Sequence, residues 1–402
     1  MQKNDLREII RSQKKGHVLG YGIERELLAK IDLNVPHASV LSGIRRSGKS
    51  VLLGQLMKRI GKGYYFNFED PRVLSFSVSD FQKLDEAFLQ ECGECDTYFF
   101  DEIQNVGKWE VFARYLLDRR KKVFITGSNA SLLSRELGTK LTGRHLRYEM
   151  FPFSYLEMLK LFKEKPSIHS FQKYMEEGGF PEYLRYEKIE LLQELFTNII
   201  ERDIVVRYGL RDSKLIREMA LYLLTNAGKE FSYNGLRKLF KIGSTNSVVS
   251  YVSYFEDSYL LFVLPMFDYS LKKQLINPKK VYSIDVGLSK VISASFSLDN
   301  GRILENLVFL NLRRKNRDIF YFKRDGECDF LIRKGNAIVE IIQVCYELND
   351  ENEKREIDGV IEAMKIFKLK EGLILTYDQE DTLEIEKRKI IVKPAWKWML
   401  EK

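Results

Sequence analysis

Val40–Leu56 reads VLSGIRRSGKSVLLGQL. Gly43, Gly48, Lys49 and Ser50 within it spell G-x-x-x-x-G-K-S, set between an apolar strand pattern and an amphipathic helix pattern, which is the context a phosphate-binding loop requires. The residues that can cradle ATP or ADP are Gly43, Ile44, Arg45, Arg46, Ser47, Gly48, Lys49, Ser50 and Val51. The glycines let backbone N–H groups fold around an anionic triphosphate, Lys49 can reach its β and γ oxygens, and the Ser50 hydroxyl can ligate Mg²⁺. The helix that follows points its positive end at the phosphates.

A second stretch, Tyr98–Glu102 (YFFDE), is an apolar strand ending in two acids. A loop of this kind needs one carboxylate to hold Mg²⁺ and one to orient or activate the attacking water; Asp101 takes the first role and Glu102 the second. Lys122–Thr126 (KVFIT) is a further strand that runs into Gly127, Ser128 and Asn129. Ser128 or Asn129 can contact the γ-phosphate or the water, or can cap the helix that starts at Ala130. Strands alternate with helices from Val40 to about residue 150, which predicts an α/β parallel sheet whose ligand lies at the carboxyl ends of the strands. Before the first strand, Leu6–Leu33 shows two helical patterns, read as a lid-like prelude.

With 402 residues the chain exceeds one ordinary core, so two or three domains are expected. The net charge of +8 permits a nucleic-acid partner without establishing one. The N-terminus MQKNDLREIIRSQKK lacks an apolar signal core, and no apolar run approaches the ~20 residues of a membrane helix, so no membrane contact and a cytoplasmic location are expected. Four cysteines fit a reducing compartment; Cys92 and Cys95 form C-x-x-C, but without a second such pair they read as free thiols, not a zinc site.

The phrases SGIRRSGKS, YFNFED, YFFDEIQN, ITGSNASLL, LTGR, FPFSYLE and GGFPEYL, in this order, resemble the AAA-type ATPases of bacteria and archaea, in which a C-terminal domain related to the PD-(D/E)xK nuclease fold follows the ATPase. The resemblance implies Ser128 or Asn129 as the sensor, Arg144 as an arginine finger acting on a neighbouring subunit, and a homo-oligomer, by default a hexameric ring. Residues 1–150 are then the ATPase core and 151–211 a helical lid. Residues 212–290 follow the rhythm of a winged helix, three helices and then two strands, with Thr245, Asn246, Ser247, Ser250 and Tyr251 on the recognition helix and Lys272, Lys273, Lys279 and Lys280 on the wing.

Residues 291–402 run helix with Glu305, strand with Asp329, strand with Glu340, then helix, an order similar to PD-(D/E)xK nucleases, whose acids converge on Mg²⁺. Asp329 and Glu340 are expected side by side on a hairpin turning at Lys334 and Gly335. Ile342 stands where the usual lysine would, so a degenerate site is expected. Two functions follow: an oligomeric Mg²⁺-dependent ATPase that moves or remodels nucleic acid, or a nucleotide-controlled switch whose later domains bind protein.

Overall fold

In a computed structural model describing residues 1–16, 22–128, 143–293 and 299–401, the chain divides into two compact units, Met1–Phe151 and Pro152–Lys402. The first contains α1 (Lys3–Gly16), β1 (Ala38–Gly43), α2 (Lys49–Ile60), β2 (Tyr64–Asn67), α3 (Phe81–Cys92), β3 (Thr97–Asp101), α4 (Trp109–Asp118), β4 (Lys122–Gly127) and β5 (His145–Met150). The strands form one parallel sheet in the order β2-β3-β4-β1-β5.

Every residue of β1 and β3 is buried, as expected for parallel strands covered on both faces. Neighbouring residues therefore serve opposite cores. Phe100 packs with Phe66, Phe81 and Phe112 on one side, whereas Phe99 packs with Leu41, Leu53 and Phe124 on the other. Because β4 lies between β1 and β3, the loop after β1 and the acids at the end of β3 open onto the same edge of the sheet.

The prelude differs from the expectation. α1 is a core helix, not a lid: Leu6, Ile9 and Ile10 are buried in the same cluster as Phe66 and Phe88. The second helical pattern is only a short 3-10 turn, Glu26–Lys30.

The second unit starts with α5 (Tyr155–Phe162), α6 (Ile168–Glu177), α7 (Pro181–Tyr186) and α8 (Ile189–Asn198), which runs into a π-helical stretch, Ile199–Val206, before α9 (Ser213–Thr225). Ser154 caps α5 in a reciprocal pair with Glu157. GGFPEYL leads into α7, where Pro181 at the first position lacks only an N–H that would be unpaired there anyway.

Next come β6 (Glu230–Phe231), α10 (Tyr233–Leu239), α11 (Thr245–Asp257), β7 (Leu261–Pro265), α12 (Leu271–Ile276), β8 (Lys279–Ser283) and α13 (Val286–Ile292). The three strands are antiparallel in the order β6-β8-β7. The wing reading needs correction: Lys272 and Lys273 are exposed on α12, but Lys279 and Lys280 are buried. Lys279 Nζ donates to the carbonyls of Leu275 and Asn277, each at 2.8 Å.

The chain ends with α14 (Asn300–Lys315), β9 (Ile319–Lys323), β10 (Glu327–Lys334), β11 (Ala337–Val344), α15 (Glu353–Phe367), β12 (Glu371–Thr376), β13 (Asp381–Ile385), β14 (Arg388–Pro394) and α16 (Ala395–Trp398). Its sheet is mixed, in the order β13-β14-β12-β11-β10-β9: β9, β10 and β11 are antiparallel, and β12 is parallel to β11 and β14.

Candidate nucleotide site

The loop after β1 keeps its shape through backbone that side chains would obstruct. A Cβ at Gly43 would overlap the Met150 carbonyl, and Gly48 has φ +93°, in the left-handed region that favours glycine. Lys49, the first residue of α2, is buried; its Nζ donates to the carbonyls of Gly43 (3.2 Å) and Ile44 (3.1 Å) and lies 3.7 Å from Glu102 Oε1. The ammonium is thus folded back onto the loop that a phosphate would fill, beside the acid assigned to water.

Asp101 is 1% exposed. Its Oδ1 accepts from the Thr126 hydroxyl, its Oδ2 from the Tyr65 hydroxyl at 3.1 Å, and the Ser50 hydroxyl is also bonded to this carboxylate. Burial, reinforced by the adjacent Glu102 charge, pushes the Asp101 carboxyl above its ordinary range. A divalent cation there would reverse that cost, and a hydroxyl joined to a buried carboxylate is the donor set Mg²⁺ takes beside a phosphate. Ser50 and Asp101 fit the ion.

Glu102 leaves the strand with φ 51°, and its N–H donates to Thr126 Oγ1 at 2.9 Å. The Gln104 amide donates to its Oε2. A single threonine at the end of β4 therefore fixes both acids.

Ser128 is buried just beyond β4, at the same edge, whereas Asn129 lies outside the described residues. Arg144 is elsewhere. It precedes β5, which pairs in parallel with β1 from Ala38↔His145 to Gly43↔Met150, so a six-residue strand separates it from its own loop, on the order of 20 Å. Its Nη2 pairs with Asp118 Oδ1 at 2.8 Å on the surface.

Of the terminal acids, Glu305 and Asp329 converge, each within 3.2 Å of Lys280 Nζ. Glu340 does not join them. β11 alternates its faces, and a register shift between Ile332 and Arg333 sets Glu340 opposite Ile332, where it lies exposed 3.9 Å from Lys334. The residue beside Asp329 is Gln343, whose Oε1 accepts the Asp329 N–H at 3.0 Å. Among the described residues no group of three His, Cys, Asp or Glu is arranged to hold a metal.

Sequence reading missed Tyr65, Gln104, Thr126 and Arg25. Thr126 carried a signal, as the polar residue closing an apolar strand next to the acid strand. Arg25 carried none. Its guanidinium is buried, with Nη1 donating to the Ser47 carbonyl at 2.6 Å and Nη2 to the Phe151 carbonyl at 2.7 Å, so it pins the loop to the chain just beyond β5. Arg25→Met would strip these carbonyls of a charged donor, a loss of about 1–3 kcal/mol each. We expect ATP affinity to fall at least about tenfold by titration calorimetry, with Arg25→Lys in between. Native affinity in Arg25→Met would show that the loop does not need this clamp.

The parallel sheet and this loop define a P-loop nucleotide-binding protein, and residues 36–159 match the AAA domain family. Residues 168–298 match a family described as a domain of unknown function. The chain is 37% identical, over 96% of its length and 92% of the relative's, to an uncharacterised protein of Methanocaldococcus jannaschii, and it belongs to that protein's family. A Haemophilus influenzae protein, also uncharacterised, is 28% identical over 89% of this chain and 93% of its own. Among solved structures, AMPPCP-bound DnaA from Aquifex aeolicus aligns at a TM-score of 0.31 and 15% identity, covering 57% of this chain and 86% of that one. No helix among the described residues is long and apolar enough to cross a membrane.

Proposed function

We propose that the chain is a Mg²⁺-dependent ATPase of the AAA type. The observation that carries this reading is the meeting of Lys49, Ser50, Asp101 and Glu102 at one edge of the sheet. In this reading Lys49 balances phosphate charge, Ser50 and Asp101 hold Mg²⁺, Glu102 takes the proton of the attacking water, and Ser128 or Asn129 contacts the γ-phosphate. The ion supplies charge neutralisation across the phosphates when it is bound. Residues 151–211 serve as a lid.

Hydrolysis in this reading needs assembly, with a hexameric ring as the default. Arg144 is too far from its own loop to act there, and its exposed pair with Asp118 is weak enough, about 0–1 kcal/mol, to exchange for a neighbour's phosphate. An arginine given in trans contributes about 10³-fold or more. Turnover per subunit should rise with protein concentration, and Arg144→Ala should bind ATP yet hydrolyse it about 10³-fold more slowly. Concentration-independent turnover by a monomer would contradict this.

The substrate of the machine is nucleic acid in the first reading. The α9, α10, α11 helices followed by β7 and β8 support a winged-helix module, and Lys272 and Lys273 are exposed on α12. A specific observation favours the second reading, a nucleotide-controlled protein switch. Two wing lysines are turned inward, and Tyr269, Leu271, Leu275 and Ile276 are 65–75% exposed around the same helix, an apolar face suited to protein. The order α14, β9, β10, β11, α15, β12 supports a nuclease-like terminal domain with a degenerate centre. An ATPase assay with and without duplex DNA separates the two: stimulation lost in Lys272→Glu/Lys273→Glu supports nucleic acid, and indifference to DNA supports protein.

A further inference from the structure

A nuclease-like arrangement of Glu305 and Asp329 implies a divalent ion, and the residues here do not fit one. Lys280, reaching from β8, places its Nζ 2.8 Å from Asp329 Oδ1, 2.9 Å from Glu327 Oε1 and 3.2 Å from Glu305 Oε1, with its side chain 5% exposed. An ammonium has three donors, and each of these has its own carboxylate.

The acids are tied down on their other sides as well. Tyr282 donates its hydroxyl to Glu305 at 2.6 Å, the Val344 N–H donates to Asp329 Oδ2 at 3.0 Å, and Lys323 Nζ lies 3.5 Å from Glu327 Oε2. Gln343, beside Asp329, spends its amide on Glu356 at 2.6 Å.

We propose that Lys280 is a built-in cation: its ammonium stands where a nuclease-like centre would take Mg²⁺, and it converts that centre into a fixed ionic joint between the β6-β8-β7 sheet and the terminal sheet. The proposal rests on the nuclease-like reading of the terminal topology. Lys280 does not replace the lysine that Ile342 or its neighbours lack, because a lysine that steadied a phosphodiester would need a donor left for it, and all three are engaged inside the protein. What it does is electrostatic. Three carboxylates on α14 and β10 face one buried point and cannot all stay charged there without a cation. Removing the ammonium leaves Glu305 and Asp329 facing a vacancy that protons or a metal ion can answer.

The joint can be tested on the full chain, free of nucleotide, in an Asp101→Asn background that silences the P-loop's own Mg²⁺ position. Mn²⁺ uptake is followed by electron paramagnetic resonance and by melting temperature. With Lys280 intact we expect no bound Mn²⁺ and no thermal shift. With Lys280→Met, close in shape but uncharged, melting should fall in EDTA and recover with Mn²⁺, about one ion should bind per chain, and adding Asp329→Asn should abolish that binding. Mn²⁺ bound while Lys280 is present, and lost on Asp329→Asn, would overturn the proposal. So would a folded Lys280→Met protein that takes up no ion. Should Lys280→Met not fold, the Lys280-intact arm still decides against the proposal if Mn²⁺ binds there. The nuclease-like reading fails separately, on an experimental structure in which the β9-β10-β11-β12 order is absent.

Discussion

Glu102→Gln should leave a protein that binds ATP and does not turn it over. The substitution keeps the size of the side chain, the contact with the Gln104 amide group and the backbone bond from the Glu102 N–H to Thr126, so the loop and Asp101 have no reason to move. What it removes is the capacity to accept a proton and the charge that lies 3.7 Å from Lys49 Nζ. General-base contributions run to about 10²–10⁴-fold, so phosphate release should drop by that much while nucleotide affinity stays within about twofold of native. A malachite-green assay beside calorimetric titration reads both. Turnover at the native rate in Glu102→Gln would remove Glu102 from the mechanism.

Lys49→Ala is the other large effect, and it should differ in kind. The buried Nζ now rests on the Gly43 and Ile44 carbonyls, which a phosphate oxygen can outbid as a partner for an ammonium. Losing that charge should weaken ATP binding by about 3 kcal/mol, roughly a hundredfold, with turnover falling at least as far. Fluorescent-nucleotide titration gives the binding change and the same phosphate assay the rate. Two native-like values would show that the loop does not hold phosphate.

These two residues were readable from sequence because each sits in a stretch whose neighbours leave little choice. Gly43 must lie against Met150, Gly48 must take a positive φ, and β3 must be apolar throughout because it is covered on both faces. The terminal acids were less legible. Glu305 and Asp329 converge, but Glu340 does not join them, and sequence does not display the irregularity between Ile332 and Arg333 that sets which face of β11 meets Asp329. Lys280 was placed on a DNA-facing wing for the same kind of reason. The rhythm of three helices and two strands puts it there, and only its acidic partners from α14 and β10, distant in sequence, account for its burial. Arg25 was invisible because its partners are backbone carbonyls, which no sequence pattern marks.

The α1 helix shows the reverse case. Its apolar positions were seen, yet whether such a helix covers a ligand or the sheet depends on what else needs covering, and here Leu6, Ile9 and Ile10 close the aromatic core around Phe66 and Phe88.

The central claim, that this chain hydrolyses ATP with Mg²⁺ through the Gly43–Ser50 loop, is tested most directly by phosphate release from the purified 402-residue chain at high concentration. The account predicts steady release that stops when EDTA removes Mg²⁺ and is absent in Lys49→Ala. No release from the native protein, or release that Lys49→Ala retains, would contradict it.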